Sequence, residues 1–345
     1  MSFLFEYIDI NPKETIIRGC LAKKIPMDKL QPFCRDIPEY EISEFNGGSK
    51  FRNGDTIMAR ITPCLENGKT AMVNILDSNE VGFGSTEYIV FRAKKNLTTP
   101  DFVYYLICSS LVRDPAIKSM VGSSGRQRVQ TDVIANLDIY FPKLSDQVKI
   151  AGVLKSLDDK IALNNAINNN LEQQAQAIFK SWFVDFEPFG GVIPNDWKQT
   201  KLGDSCNCIL GGTPSRNKSE YWNGSIPWIN SGEVNKFRII KPSETITNLG
   251  LEKSATKLLP AKTTVLAITG ATLGQVSLLE IDACANQSVV GIIPNDNLPY
   301  EYIYPLIKQN IAELISHQTG GAQQHINKQN VENLDIVIPA YTHLM

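Results

Sequence analysis

Residues 144–186 read LSDQVKIAGVLKSLDDKIALNNAINNNLEQQAQAIFKSWFVDF, without proline and with one glycine, Gly152. Ile150, Leu157, Asn164, Leu171 and Ile178 recur every seventh residue, and Leu154, Ile161, Asn168, Ala175 and Trp182 form a second such series between them. Alternating steps of three and four residues put both series on one seam of a helix, the pattern by which coiled-coil helices meet. A helix lying on a globular core follows 3.6 residues per turn and drifts off a strict heptad, whereas these series hold it throughout. Ser145 and Asp146 offer an N-cap, and Pro188 with Gly190 and Gly191 offers a stop. The stretch therefore predicts a rod roughly 60 Å long at about 1.5 Å per residue, which must separate two bodies or lie along a partner. Asn164 and Asn168 interrupt the seam, and a polar residue there weakens pairing while selecting one register or partner.

The rest of the chain reads as one unit written twice. In the first, 52–73 predicts a hairpin turning at Asn67-Gly68, 81–93 a strand, and 101–120 a helix broken before Pro115. The segment before residue 52 is read as irregular. In the second, 259–279 repeats the hairpin, with Ile61-Thr62 over Ile268-Thr269 and, after a one-residue gap, Asn67-Gly68 over Leu273-Gly274. Residues 300–316 repeat the helix, Asp101-Phe102-Val103-Tyr104 lying over Glu301-Tyr302-Ile303-Tyr304. Asn136-Leu137-Asp138-Ile139 returns as Asn333-Leu334-Asp335-Ile336. So long a period means duplicated domains rather than a solenoid. The expected fold class is α/β (α+β): two duplicated domains with twisted β-sheet cores, 1–143 and 188–345, joined by a long coiled-coil-type helix, 144–187. By the logic of the repeat a second long helix should follow Pro339, yet the chain stops at Met345, so that distal helix is expected to be missing.

Length and composition fit two domains and a connector: 345 residues, 43% of them hydrophobic. Seven cysteines, an odd number with no C-x-x-C, and no secretory leader at the start point to reduced cytosolic thiols. Cys206 and Cys208 lack a second nearby pair, so no metal is expected. No apolar run is long enough to span a membrane. The formal net charge of −2 gives no bulk hint of a nucleic-acid partner.

Catalytic signatures are missing. The sequence has no phosphate-binding G-x-x-x-x-G-K-[ST], no G-x-S-x-G elbow, and no histidine before His317. Thr269–Gly274 looks like a glycine-rich loop, but its place in the repeat makes it a hairpin. No cofactor is expected, and a carbohydrate or nucleotide enzyme is disfavoured. Two segments suit nucleic acid instead. Residues 211–235 mix Thr213, Ser215, Arg216, Asn217 and Lys218 with Tyr221, Trp222 and Trp228. Short polar donors with Arg and Lys suit phosphates and base edges, although the same aromatics could simply close a core. From Lys198 to Lys262 the chain has ten Lys or Arg against five Asp or Glu, and 263–345 has two against seven, so this unit has a basic and an acidic part. The turn 122–130 carries Arg126, Gln127 and Arg128, and its counterpart 320–328 carries Gln323, Gln324, His325 and Lys328. Glycine-rich turns let backbone N–H groups approach phosphates, but a polar turn leading into a strand is the plain alternative.

Gly212-Thr213-Pro214-Ser215, Tyr221-Trp222, Ile226-Pro227-Trp228, Ile268–Gly274, Gly320–Ile326, Asn333–Ile336 and Ser181–Phe186 together make the chain similar to the specificity subunits of Type I restriction-modification systems. The resemblance implies two target-recognition domains, each reading half of a split double-stranded DNA site, and helical regions that fix the spacing. It implies recruitment of two modification methyltransferase subunits, joined by a restriction translocase, in a cytoplasmic DNA adenine methyltransferase and restriction complex whose specificity subunit catalyses nothing. The first unit lacks the Gly-Thr-Pro-Ser opening, and the distal helix is absent.

Features shared by both units cannot distinguish the two half-sites, so base reading is expected where they diverge, around 20–52 and 213–257. Lys50 and Arg52 in the first unit, and Asn217, Lys218, Lys236 and Arg238 in the second, are the residues expected to read. With no distal helix in the chain, Ile150, Leu154, Leu157, Ile161, Leu171 and Ile178 need a partner: a second copy, giving a homodimer, or methyltransferase helices. A truncated scaffold or decoy, binding methyltransferase without productive DNA readout, is the alternative.

Overall fold

The computed structural model describes residues 2–316 and 325–340. Leu144–Phe183 is one unbroken helix of 40 residues. Its first turn is closed from Lys143, whose carbonyl accepts from Asp146 N at 2.8 Å and Gln147 N at 3.0 Å, so Ser145 and Asp146 lie inside the helix rather than capping it. It stops before Pro188: Val184 N still bonds Lys180 O at 3.0 Å, and Phe186 then turns left-handed with φ 54°. Ser181 and Lys180 reach forward to Glu187 and Asp185 and fold the chain away from the helix.

The chain divides into two compact units, Met1–Asn168 and Asn169–Met345, each holding part of the helix. In the first, one sheet has the order Ile8–Ile10, Tyr88–Ala93, Thr56–Ala59, Thr70–Met72. A second has the order Glu41–Glu44, Leu21–Ile25, Gly82–Gly84, Ser49–Phe51. The segment before residue 52, read as irregular, thus supplies four of these strands, each too short to show an alternating pattern. The stretch 81–93, read as one strand, is two strands in different sheets. The helix expected over 101–120 breaks at Ser109, extended at ψ 159°, and Pro115 is carried within the following helix Ser110–Lys118. Thr99 caps the preceding helix, Pro100–Cys108, accepting from Phe102 N at 3.3 Å with Pro100 in its first turn.

The second unit repeats this order of pairing. Asn207–Leu210, Val289–Ile293, Thr264–Ala267 and Val276–Leu279 form the first sheet, with Arg238–Ile239 added at its edge. Glu244–Ile246, Trp222–Ile229, Ala283–Ala285 and Leu258–Leu259 form the second. Phe102, Val103, Tyr104, Leu106 and Ile107 are buried in the first unit, as are Tyr302, Ile303, Tyr304, Leu306 and Ile307 in the second.

The ladders correct the register of the repeat. Ala59 faces Tyr88 and donates to Lys69 O at 2.9 Å; Ala267 faces Val289 and donates to Gln275 O at 2.9 Å. Arg60 therefore takes the place of Ile268, and Ile61 that of Thr269, one residue off the alignment drawn from sequence. Asn67-Gly68 is not a two-residue turn either. It closes a longer connection over 60–68 that buries Leu65, and Gly68 (φ 75°) corresponds to Gly274 (φ 83°). Gly274 is confined as well as left-handed, since a Cβ there would meet Ile315 at 2.8 Å.

Each unit clamps its part of the helix by a stripe lying roughly a quarter turn around from the heptad seam. In the first, Gln147 is fully buried, accepts from Thr98 Oγ1 at 2.7 Å, and donates to Leu97 O at 3.1 Å and Pro142 O at 3.0 Å. Ala151 is buried below it, and Asp158 accepts from Tyr105 OH at 2.7 Å. In the second, Phe179 and Phe183 pack on Tyr302 with ring centroids 5.3 and 5.1 Å away, and Glu172 pairs with Lys308. The seam stays uncovered: Ile150, Leu154, Leu157, Ile161, Leu171, Ile178 and Trp182 are 37–60% exposed. All of 161–170, including Asn164 and Asn168, is exposed on every side of the helix. Among the described residues no helix is long and apolar enough to cross a membrane.

Candidate nucleic-acid interface

In the second unit the loop after Asn207–Leu210 is drawn onto the sheet by its aromatics. Trp228 is buried and donates from Nε1 to Gly212 O at 3.1 Å; Trp222 donates to Ser215 O at 3.2 Å and packs edge-on against Trp228 at 5.1 Å. The aromatics thus do close a core, and by doing so they fix the polar loop above them. The Arg216 guanidinium lies 3.7 Å over the Trp222 ring and makes a two-pronged pair with Glu244 at 2.5 and 2.9 Å. That pair holds the Glu244 carboxyl below its ordinary range, with partial burial opposing it. Lys218 Nζ reaches Tyr221 OH at 3.0 Å, Thr213 donates to Gln287 Oε1, and Asn217 stands exposed beside them.

Lys236 and Arg238 lie on the next exposed stretch. Arg238 rests over Phe237 at 4.7 Å and shares Glu280 with Lys262, while Lys236 has no acidic partner among the described residues. His325 is exposed and bridges to Thr269; Lys328 pairs with Glu332 at 2.9 Å. Gln323 and Gln324 lie outside the described residues.

In the first unit the turn 122–127 projects Arg126, exposed and unpaired among the described residues. Arg128 bridges to Ile61 and Val121, the place His325 takes in the second unit, and clasps Glu87 at 2.7–3.0 Å. The Arg128 hydrogen bond is the main reason Glu87 ionises below the usual carboxylate range. Gln127 accepts at its carbonyl from Thr62 N at 3.0 Å. Arg52 is tied into a network instead of standing free. It bonds Glu14 at 2.6 Å, Glu14 also takes Arg92 at 2.7 Å, and Arg92 holds the buried Asp55 by two bonds of 2.6 and 2.7 Å. Bonding to Arg52, then Arg92, holds the Glu14 carboxyl low against its burial. Lys50 has no acidic partner among the described residues and sits 5.4 Å from the centre of the Phe45 ring.

The expected cations thus fall into two groups. Among the described residues Lys50, Arg126, Lys218 and Lys236 have no carboxylate partner, whereas Arg52, Arg128, Arg216, Arg238 and Lys328 are each paired. The exposed pairs hold their partners loosely, since such a bridge contributes only about 0–1 kcal/mol and a phosphate can replace the carboxylate at little cost. Two cations went unmarked in the sequence, Lys13 and Arg60, and both line one cleft with Lys50. Among the described residues no cluster of three His, Cys, Asp or Glu could hold a metal ion.

Two sheets in a fixed order, repeated and carrying exposed Arg, Lys and amide groups on loops that differ between the copies, define a duplicated recognition module. The family profile for the Type I restriction modification DNA specificity domain matches residues 27–173 and 194–342, and the chain belongs to that family. The HindI specificity subunit of Haemophilus influenzae is 26% identical over 84% of this chain and 77% of that protein. The MjaIX specificity subunit of Methanocaldococcus jannaschii is 26% identical over 71% of this chain and 60% of that protein. The EcoR124I/EcoR124II specificity subunit of Escherichia coli is 31% identical over 42% of this chain and 37% of its own length. The crystal structure of a Type-I restriction-modification S subunit from M. genitalium shares the fold, with a TM-score of 0.56 at 12% identity over 99% of this chain and 85% of that one.

Proposed function

We propose that each unit reads one half of a bipartite duplex site and that the central helix sets the separation between the halves. In this reading 1–143 and 188–345 are the recognition parts and 144–187 the spacer. The observation that carries it is the repeat itself: one order of strand pairing, used twice on a single helix, with the cationic loops differing between copies. Shared elements such as the hairpin suit scaffold and backbone docking, and divergent loops suit base edges, where each well-made contact discriminates by roughly 1–3 kcal/mol. Arg216 braced on Trp222, Asn217 and Lys218 in the same loop, and Lys236 and Arg238 on a separate exposed stretch read for the second unit. Lys50, Arg126, Gln127 and Arg128 serve the first. The chain acts with two modification methyltransferase subunits, and with a restriction translocase when the complex cleaves; the chain supplies no catalytic group of its own. Those partners bring phosphate attraction that a chain of net charge −2 lacks.

The test is an exchange of 213–257 for the matching stretch of a relative, with the host methylome read after co-expression with the methyltransferase. One half of the methylated motif should change while the other is retained. A change in both halves, or in neither, refutes the assignment; no methylated motif at all, with methyltransferase still bound, identifies a scaffold instead.

A further inference from the structure

The first unit holds a polar cleft of about 530 Å³ lined by Lys13, Lys50 and Arg60, with Ser49 and Thr86 between them and Glu14 as its one acid. Glu14 is already claimed by Arg52 and Arg92. Arg60 is partly buried, its buried Nε has no hydrogen-bond partner, and it makes no ion pair among the described residues. The nearest acid in sequence contact, Glu87, accepts Arg60 N through its backbone carbonyl at 2.9 Å, but its carboxylate is taken by Arg128. A buried Nε–H without a partner is costly, and it becomes favourable once an anion accepts from it. Three cations facing one space, with the only carboxylate neutralised, leave that space short of negative charge.

Among the described residues the second unit does not repeat this set of cations. Arg60 corresponds to Ile268 by the hydrogen bonds from Val129 N to Arg60 O (2.8 Å) and from Ile326 N to Ile268 O (3.0 Å). Lys50 faces Phe83 and Leu258 faces Cys284 in matching ladders, and Tyr88 corresponds to Val289. The fold thus tolerates an aliphatic residue at each place, so the cations are not needed to build the sheet.

We propose that this cleft binds a phosphate group, that of the DNA backbone beside the first half-site, with Arg60 as its anchor and Lys13 and Lys50 at its mouth. The site rests on the DNA-reading assignment for its ligand but not for its chemistry. The variant is Arg60→Ile, the residue its own copy carries, with Arg60→Lys as the charge-preserving control. Full-length chain is titrated with inorganic phosphate while thermal unfolding is followed, and with a duplex of random sequence across a salt series. Phosphate should raise the unfolding temperature of the parent chain and of Arg60→Lys, and leave Arg60→Ile unmoved. Duplex affinity of Arg60→Ile should fall about eight-fold near 0.1 M salt, with the salt slope shallower by roughly 0.9, the signature of one lost phosphate contact. Equal affinity and slope for parent and Arg60→Ile overturn the proposal. So does a loss of discrimination at one base pair with the slope unchanged, which would make Arg60 a base reader. If the parent chain binds no duplex yet shows phosphate protection that depends on Arg60, the anion site stands with a small phosphate as its ligand, and the DNA assignment alone fails.

Discussion

Gln147→Glu tests whether the first unit grips the central helix as described. The substitution keeps size and shape but puts a carboxylate oxygen where Nε2 now donates to Leu97 O at 3.1 Å and Pro142 O at 3.0 Å. The site is fully buried, and only Thr98 Oγ1, 2.7 Å away, can donate to the new group. Burial against two carbonyl oxygens should raise the carboxyl pKa by roughly 2–4 units above its unfolded value of about 4.3. At about 1.4 kcal/mol per unit the variant loses about 3–5 kcal/mol at pH 8. The sign follows from linkage: the folded state holds the proton more tightly, so the penalty is small below the unfolded pKa and grows as pH rises through the folded one. On acidification the protonated acid donates to one carbonyl and leaves one unmet, a residue of about 1 kcal/mol. The assay is urea unfolding at pH 5 and pH 8, with amide exchange over 95–105 and 140–155 to isolate the first unit. A variant within about 1 kcal/mol of the parent at pH 8, or one whose deficit is the same at both pH values, refutes the clamp.

Gly48→Ala should destabilise the first unit by at least about 2 kcal/mol in the same unfolding assay. Gly48 sits at φ +120°, and a Cβ there would lie 2.1 Å from Gly84 O; a neutral result would mean the wall of the cleft is not packed as described. Leu157→Lys with Ile161→Lys should leave circular dichroism unchanged, because these side chains are 55% and 59% exposed. If two copies pair through the seam, light scattering at high protein concentration should give a two-chain mass for the parent and a one-chain mass for this variant. A parent that is monomeric there rules out self-pairing and leaves methyltransferase helices as the partner.

The helix and the duplication were legible in sequence because both are periodic: a heptad is a local signal, and a repeat needs only comparison of the chain with itself. The strands before residue 52 were not, since Ile8–Ile10 and Ser49–Phe51 have three residues each and pair with strands far along the chain. The face by which the helix packs was hidden by the stronger pattern beside it. Gln147, Asp158 and Glu172 are polar or charged, so no continuous hydrophobic periodicity marks a stripe whose apolar members are Ala151, Phe179 and Phe183. Arg52 is a cation in a divergent segment and so reads as a base-contacting residue, but sequence cannot show that Glu14 and Asn79 already hold it.

Arg60 was lost to a single residue of register. Matching Ile61-Thr62 to Ile268-Thr269 made the hairpins look alike and therefore uninformative. The ladders instead oppose Arg60 to Ile268 and Tyr88 to Val289, so the two units differ inside the element that sequence assigned to shared scaffold. The principle that divergence marks recognition is unchanged, but its unit is the paired residue rather than the segment. Applied that way it leads to a cleft with an unmatched arginine Nε–H in one copy, and to a tryptophan-braced Arg216 in the other, where Trp228 stands in the ladder place of Lys24. A duplicated scaffold can bind two different half-sites only if changes of this kind are confined to positions whose burial both chemistries tolerate. Ile268 and Arg60 meet that condition because each directly follows its strand, where a short aliphatic chain can bury and a long cationic one can extend along the cleft.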